Sequence, residues 1–437
     1  MKKIYAPTRP KKILIVDDDQ FVTSIYQNQF ERERYDVEIA SNRQSALQML
    51  AKHPVDLVIL DFSLPGMNGL EVLREIRSKP GAEALLVIVL LNAYLPDLAQ
   101  AAAQAGATKS VIKADCTPRQ IMKIVHGVFA VRPANATSSD VASGLGIAPA
   151  PVIHPPADNS RKTLRAQSAA AFQAEVVAAF LNDAPEKLAR LRIGYRPFVG
   201  TQREDLRLAE LSEMHQQARL LAGAAAVGGF RRIAQLASAL EALLIQLHRK
   251  PTNITPSVTR TIAQAADLLA SLFDHATTPD SEASFAPAIL VVDDEIISRE
   301  AISSAIEKAN LHPVSVDDPI AAEGLLEKSH FDLIFLDVEM PGKNGFELCA
   351  SIRKMALNGD TPVVFVTAHS DLASWAQSSL SGGNDFIAKP FLSVELAVKA
   401  LVWLFTEGLQ PLSTGGQPAG IANKNVDQPQ ALKAVAG

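Results

Sequence analysis

The strongest constraint in this chain is an apolar run of three or four residues that stops at an aspartate, and it recurs. Ile13-Leu14-Ile15-Val16 leads into Asp17-Asp18, Val58-Ile59-Leu60 ends on Asp61, and Lys113 follows. The pattern returns as Ile289-Leu290-Val291-Val292 before Asp293-Asp294, Ile334-Phe335-Leu336 before Asp337, and then Lys389. The step from Asp17 to Asp293, from Asp61 to Asp337 and from Lys113 to Lys389 is the same, 276 residues. A short apolar run without alternation reads as a strand buried on both faces, as in a parallel sheet. Such runs alternate here with helix-length stretches, so each copy predicts a βα-repeat sheet. The preserved spacing predicts two copies of one domain, each built around one small charged site.

The parts of that site limit its chemistry. Open α/β sheets bind ligands in the crevice outside the carboxyl ends of their strands. Clustered carboxylates repel, and a hard divalent ion relieves the repulsion. Mg²⁺ is held by one or two carboxylates plus phosphate oxygens. A lysine nearby contacts phosphate as a point charge. A carboxylate can also act as nucleophile and become an aspartyl phosphate. A lone aspartate of this kind reads as a polar strand end; four groups repeated in register point to a site.

On these residues the chain resembles the receiver domains of two-component response regulators, over residues 10–130 and 287–407. The resemblance implies two α/β flavodoxin-like (βα)5 domains with parallel sheets. It implies Asp337 and Asp61 as phosphoacceptors and Mg²⁺ as cofactor. The ion would be held by Asp293, Asp294, Asp337 and the Glu339 carbonyl in one copy, and by Asp17, Asp18, Asp61 and the Ser63 carbonyl in the other. Leu64–Gly69 and Met340–Gly345 match the turn after the phosphorylated strand, where Pro and Gly are a mechanical turn signal. Thr367, 30 residues after Asp337, supplies the family's hydroxyl, with Phe386 as switch aromatic, Lys389 as phosphoryl contact and Pro390 following it. The first copy keeps Lys113 but departs elsewhere. The hydroxyl position falls on Leu91, with Asn92 next; Ser110 stands at the aromatic position and Ala114 at the proline. The expectation is a complete second receiver, labelled chiefly on Asp337, and a partly degenerate first one.

Length and composition set the frame. With 437 residues the chain predicts about three domains, and 48% hydrophobic residues support folded cores. A net charge of −5 argues against a dominant nucleic-acid surface. Cys116 and Cys349 fall in different copies and form no metal spacing, which suits a reducing compartment. No apolar stretch reaches spanning length, so the reading is cytoplasmic, with no membrane segment. Proline among alanine, serine and glycine marks residues 131–164 as a linker, 276–286 reads as a shorter polar joint, and the polar, Gly- and Gln-rich stretch 408–437 reads as a disordered tail.

Residues 165–275 change character. Leu211, Met214, Ala218, Leu221 and Ala225 step by three or four, as do Leu236, Leu240, Leu243, Leu244 and Leu247. Helices with short turns predict an antiparallel bundle. The stretch Ala218–Gly229, followed by Leu240-Glu241, resembles the central helix of histidine phosphotransfer (HPt) domains. That resemblance puts Arg219 at the phosphorylated histidine's position. Guanidinium stays charged and has no acceptor lone pair, so it is no nucleophile. It can instead bind a receiver's acidic cluster through paired hydrogen bonds. Arg219, Ala222, Gly223 and Ala226 form the implied docking strip, to a receiver of the same chain or of another, in a contact that steering would make salt-sensitive.

The leading expectation is receiver–pseudo-HPt–receiver signalling. Phosphate would come from a histidine kinase or HPt protein, and output would pass to an unknown partner by docking or self-association. The apolar helix after Pro390 favours such contacts, since Val394, Leu396, Val398, Leu401, Val402, Trp403, Leu404 and Phe405 cover more than one face. No output catalytic domain is visible. Two alternatives stay open: a relay through His215, one turn before Arg219, and an unphosphorylated binding scaffold.

Overall fold

The computed structural model describes residues 9–64, 69–130, 159–201, 203–276, 278–280, 286–368 and 381–407. The expected tail at 408–437, most of the expected 131–164 linker, and the 65–68 part of the first turn lie outside the described residues.

The first α/β unit runs β1 (Lys12–Val16), α1 (Gln20–Arg32), β2 (Asp36–Ala40), α2 (Arg43–Lys52), β3 (Leu57–Asp61), α3 (Gly69–Ser78), β4 (Leu86–Leu91), α4 (Pro96–Gln104), β5 (Lys109–Ile112) and α5 (Pro118–Ala130). Its five strands are parallel in the order β2-β1-β3-β4-β5. That is the flavodoxin-like order, with its ligand crevice at the β1/β3 switch point. Alternate residues of each strand feed opposite cores. Ile13, Ile15, Ile59 and Leu90 pack with Val22, Tyr26, Ile121 and Val125 of α1 and α5. Leu14, Val16, Val58 and Val89 pack with Val72, Leu73 and Ile76 on the other face. Burial on both faces explains why these strands carry no polar alternation.

The second α/β unit repeats this plan through β6 (Ile289–Val292), α10 (Ile296–Lys308), β7 (Pro313–Val316), α11 (Pro319–Leu326), β8 (Leu333–Asp337), α12 (Gly345–Ile352), β9 (Val363–Thr367), β10 (Asp385–Ala388) and α13 (Ser393–Glu407). Its strands lie in the order β7-β6-β8-β9-β10, again parallel. Gly345 begins α12 hard against the end of β8: a Cβ there would lie 2.1 Å from the Asp337 carbonyl oxygen. Only glycine allows that turn to close.

Between them lie α6 (Asn159–Gly200), α7 (Glu204–Gly228), α8 (Arg231–Arg249) and α9 (Pro256–Asp274). The first of these begins at Asn159, not at 165, so the linker is shorter than its composition suggested. The two predicted stripes on α7 and α8 are fully buried. Phe180 stacks on Phe230 at 4.6 Å and closes one end of the bundle. Gly229, at φ 86°, ends α7 in the left-handed conformation that glycine tolerates best. No helix among the described residues is long and apolar enough to cross a membrane.

The surplus apolar face of α13 has a different role from the one expected of it. Its Leu396, Ala397, Leu401, Val402 and Phe405 are buried in one continuous core with Leu240, Leu244, Leu247, Val258 and Ile262 of α8 and α9. The face that seemed free for self-association is covered by the chain's own bundle.

One ionisable group is trapped in that contact. Glu395 accepts from Ser257 Oγ at 2.6 Å and from Thr261 Oγ1 at 3.4 Å. Burial raises its pKa above the ordinary glutamate value, against the pull of Ser257 and Lys399. A carboxyl raised on folding favours the neutral form, so its contribution is fully present below the unfolded value near 4.5 and is lost as pH rises through the folded one. Glu395→Gln keeps an acceptor for Ser257 and removes the charge. It is expected to raise stability at pH 8 and flatten that part of the pH profile. Thermal unfolding at pH 5 and 8 checks this; a loss of stability at pH 8 would sink it.

Candidate functional site

At the carboxyl ends of β1 and β3, Asp17, Asp18 and Asp61 bring carboxylate oxygens within 4.8 Å of one another; Asp293, Asp294 and Asp337 do the same in the second unit. The lysines complete both clusters. Lys113 Nζ donates to Asp17 at 2.9 Å and to Asp61 at 2.6 Å. Lys389 Nζ donates to Asp293 and to Asp337, each at 2.9 Å. All eight residues that the repeat singled out therefore lie in two equivalent pockets.

Strand register fixes the remaining positions. Asp61 lies opposite Leu90 and Asp337 opposite Val366, so Leu91 occupies the place of Thr367. Leu91 is core, packed among Leu60, Val89 and Ala102. Ser110 lies opposite Val89 as Phe386 lies opposite Phe365, so serine stands where the second unit has its aromatic. Ser63 donates its backbone N–H to Asp61 at 3.1 Å, and Glu339, its counterpart, is exposed.

Residues 13–126 and 289–401, just over half of the chain, match the response regulator receiver domain family. The chain belongs to that family. It is 38% identical over 118 residues to the transcriptional regulatory protein ResD of Bacillus subtilis, covering 26% of this chain and 47% of that protein. Over 111 residues it is 32% identical to the phosphate regulon regulator PhoB of Escherichia coli, covering 25% of this chain and 48% of that one. Sensor histidine kinase GacS of Pseudomonas protegens is 29% identical over 190 residues, 42% of this chain and 21% of the kinase. The chain thus spans about half the length, or less, of these curated relatives. Among solved structures, the chemotaxis response regulator CheY4 of Vibrio cholerae is 26% identical, covers 28% of this chain and 100% of its own, and has a TM-score of 0.27. The receiver domain of sensor histidine kinase PA1611 of Pseudomonas aeruginosa, solved with magnesium in its active-site cleft, is 24% identical, covers 27% and 98%, and has a TM-score of 0.25.

The two receivers differ most in what faces their pockets. Arg219, on α7, reaches the first. Its Nη1 and Nη2 donate to the Asp18 carboxylate at 2.8 and 2.6 Å, and Nη1 also lies 3.3 Å from Asp61 Oδ2. Arg219 is only 2% exposed. The helix comes this close because its surface is small: Ala222 and Ala226 are buried, and a Cβ on Gly223 would meet Val22 at 3.2 Å and Lys113 at 3.4 Å. Of the expected docking strip, Arg219 and Gly223 meet the first receiver directly, and Ala222 and Ala226 are buried on the same helix.

The charges follow from these neighbours. Burial pushes the Asp61 pKa up, but Lys113 and Arg219 together overcome it and hold the carboxyl below the ordinary aspartate value. At Asp337 burial outweighs the hydrogen bond and charge of Lys389 and holds the carboxyl above that value. Asp17 is pushed up by burial to about 7, against the pull of Lys113.

Receivers typically bind Mg²⁺ in this acidic pocket. The second receiver's residues fit a hard divalent ion: three convergent carboxylates share one lysine, and the exposed Asp294 side chain has no hydrogen-bond or ion-pair partner among the described residues. In the first receiver both Asp18 oxygens are committed to Arg219, and Asp61 Oδ2 is shared by Arg219 and Lys113 while its Oδ1 accepts from the Ser63 N–H. That arrangement does not fit the ion.

Some functional contacts escaped the sequence. Asn92, beside the lost hydroxyl position, donates through Nδ2 to the Ser238 carbonyl and to Glu241 of α8, both at 2.8 Å. His215 is not an exposed helix residue; it is half-buried with Nε2 3.8 Å from Glu241 Oε1. On the second receiver, Arg260 of α9 lies over the Phe386 ring at 4.4 Å. A signal for this interface did exist: Glu395 and Lys399, one turn apart, are the two charges inside the apolar α13 run.

Proposed function

We propose that this chain is a phosphoacceptor response regulator that takes phosphate chiefly on Asp337. Its central bundle is an HPt-like domain that has lost phosphoryl chemistry and kept docking. A histidine kinase or HPt protein supplies the phosphate, and output passes through protein contacts. The observation that carries this reading is the inequality of two otherwise equivalent pockets. One is capped by a guanidinium from the position where HPt domains carry histidine. The other keeps an exposed carboxylate and a threonine, and no bundle cation reaches its carboxylates among the described residues.

The rims of the two pockets differ as well. Phe21, just past the first pocket, packs against the bundle core. Its counterpart Ile297 is 73% exposed and the neighbouring Ile296 58%. An apolar pair at the rim of an acidic pocket suits the helix of an external phosphodonor.

The chemistry asked of the residues is limited. An Asp337 oxygen attacks phosphorus, the bond from phosphorus to the donor's leaving group breaks, and the leaving group departs with the electron pair. Lys389 neutralises charge on the phosphoryl oxygens, and the Thr367 hydroxyl donates to one of them. Bound Mg²⁺ would supply further charge neutralisation at Asp293 and Asp294. In the first receiver Leu91 offers no hydroxyl. A missing hydrogen bond to a charged group costs about 1.5–3 kcal/mol, which slows transfer about ten-fold or more if the bond forms in the transition state.

The test is incubation of wild type, Asp61→Asn and Asp337→Asn with acetyl phosphate and Mg²⁺. Base-labile label is expected on wild type and Asp61→Asn, and at most a small, slow fraction on Asp337→Asn. Equal rates at the two aspartates, or loss of label in Asp61→Asn alone, would overturn the ranking. A base-stable label that vanishes in His215→Ala would instead establish a relay. Against a relay stands the position of His215, which turns toward Glu241 rather than to a described carboxylate of the first pocket.

A further inference from the structure

We propose that Arg219 is the resident cation of the first receiver: its guanidinium takes the place of the divalent ion, so that ion binding there and seating of the bundle exclude each other. The inference rests on the docked arrangement behind the proposed function and goes beyond it, because it assigns the first pocket a ligand.

The geometry makes the case. A divalent ion in this pocket needs oxygens of Asp18 and Asp61, and Arg219 holds both oxygens of Asp18 and Oδ2 of Asp61. The fork on Asp18 is two parallel N–H···O bonds, the strongest form of such a pair. Guanidinium is also weakly hydrated, so it tolerates the 2% exposure found here better than an ammonium would. Charge balance agrees. The Asp17, Asp18 and Asp61 carboxyls are paired with two cations, Lys113 and Arg219. In the second receiver, Lys389 is the one cation paired with the Asp293 and Asp337 side chains among the described residues, while Arg299 donates to the Asp293 and Asp294 carbonyls and leaves the Asp294 carboxylate unpaired for a divalent ion.

The seat is built on both sides of the arginine. Gly223, one turn on, leaves room for Val22 and Lys113. Asn92 ties the adjoining strand end to α8 through two hydrogen bonds of 2.8 Å. Tyr94 and Ala114 of the first receiver are buried in the bundle's own core. An ion entering the pocket would have to displace Arg219 from a buried site and lift α7 with it. The first receiver is then a clamp for the bundle, with its metal site used as the socket.

Mn²⁺, counted by electron paramagnetic resonance on the intact chain, tests this. Wild type is expected to bind one ion tightly. Asp294→Asn, at an exposed carboxylate of the second receiver, should weaken that ion about ten-fold or more and reveal no other tight site. Arg219→Gln should add a second ion, which persists in Arg219→Gln/Asp294→Asn. Two ions of similar affinity in wild type, a tight ion surviving in Asp294→Asn, or a single ion in folded Arg219→Gln would each overturn the proposal. If Arg219→Gln does not fold, wild type and Asp294→Asn still decide it. Failure of the Asp337 reading would appear in the phosphate label and leave these ion counts unchanged.

Discussion

Arg219→Glu is expected to detach the bundle from the first receiver. The substitution removes the fork on Asp18 and the contact to Asp61, and adds a fourth carboxylate to Asp17, Asp18 and Asp61 at a position that is almost closed to water. Removing one partner of a buried ion pair costs about 3–5 kcal/mol because the other charge stays buried without compensation, and like-charge repulsion adds to that. Amide hydrogen exchange on the intact chain should show α1 and the second half of α7 losing protection together, while the second receiver's sheet is unchanged. Small-angle scattering should show the chain expand. Salt distinguishes this from a surface contact. A rim pair would weaken as the Debye length falls, and the sequence reading pointed to salt sensitivity. With Arg219 buried, the wild-type contact is expected to hold at high salt. Unchanged protection in Arg219→Glu would make the apolar contacts of Tyr94, Ala114 and Phe21 sufficient by themselves.

Asp385→Ala is expected to cost a similar amount at the other interface. Lys399 is fully buried and donates to Asp385 at 2.9 Å and to Gln264 of α9 at 3.0 Å; Gln264 in turn donates to Asp385 at 2.9 Å. Desolvation pulls the Lys399 pKa below the ordinary lysine value against the Asp385 charge, so the ammonium depends on that partner. Loss of Asp385 strands it, at about 3–5 kcal/mol. Lys399→Met in the same chain removes the stranded charge and should recover most of the loss, since a buried pair exchanged for apolar groups of similar volume is often neutral. A double-mutant cycle from thermal unfolding measures the coupling. A loss under about 1 kcal/mol for Asp385→Ala would mean that water reaches Lys399. Arg260, which shares Asp385 at 3.7 Å and lies over Phe386, places the bundle in contact with the aromatic that precedes Lys389 in the second receiver.

The fold was legible because its signals are local. Runs such as Leu333–Asp337 are buried on both faces, and such a strand cannot alternate polar residues; the carboxylate at its end marks where the crevice must be. The two charged clusters were legible for the same reason, since equal spacing on equal topology brings the same side chains together. The loss of the hydroxyl at Leu91 could be counted along the chain, and the strand register agrees with the count.

What the sequence could not determine is which surfaces meet. Arg219 and Asp18 are 201 residues apart, and nothing local chooses between the first pocket and the second. Both are acidic, and a guanidinium fits either. The choice is made by shape: Val22 and Lys113 lie against Gly223, while Asn92 reaches α8, and the second receiver has serine and threonine at the positions of Val22 and Leu91. The apolar excess on α13 likewise said only that something must cover it. Tertiary packing supplied α8 and α9 as the cover, with the Lys399–Asp385 pair enclosed between them. Residue types and their spacing thus determined the two α/β domains and their pockets. Only long-range desolvation and close packing decided that the chain's own arginine fills the first pocket rather than the second.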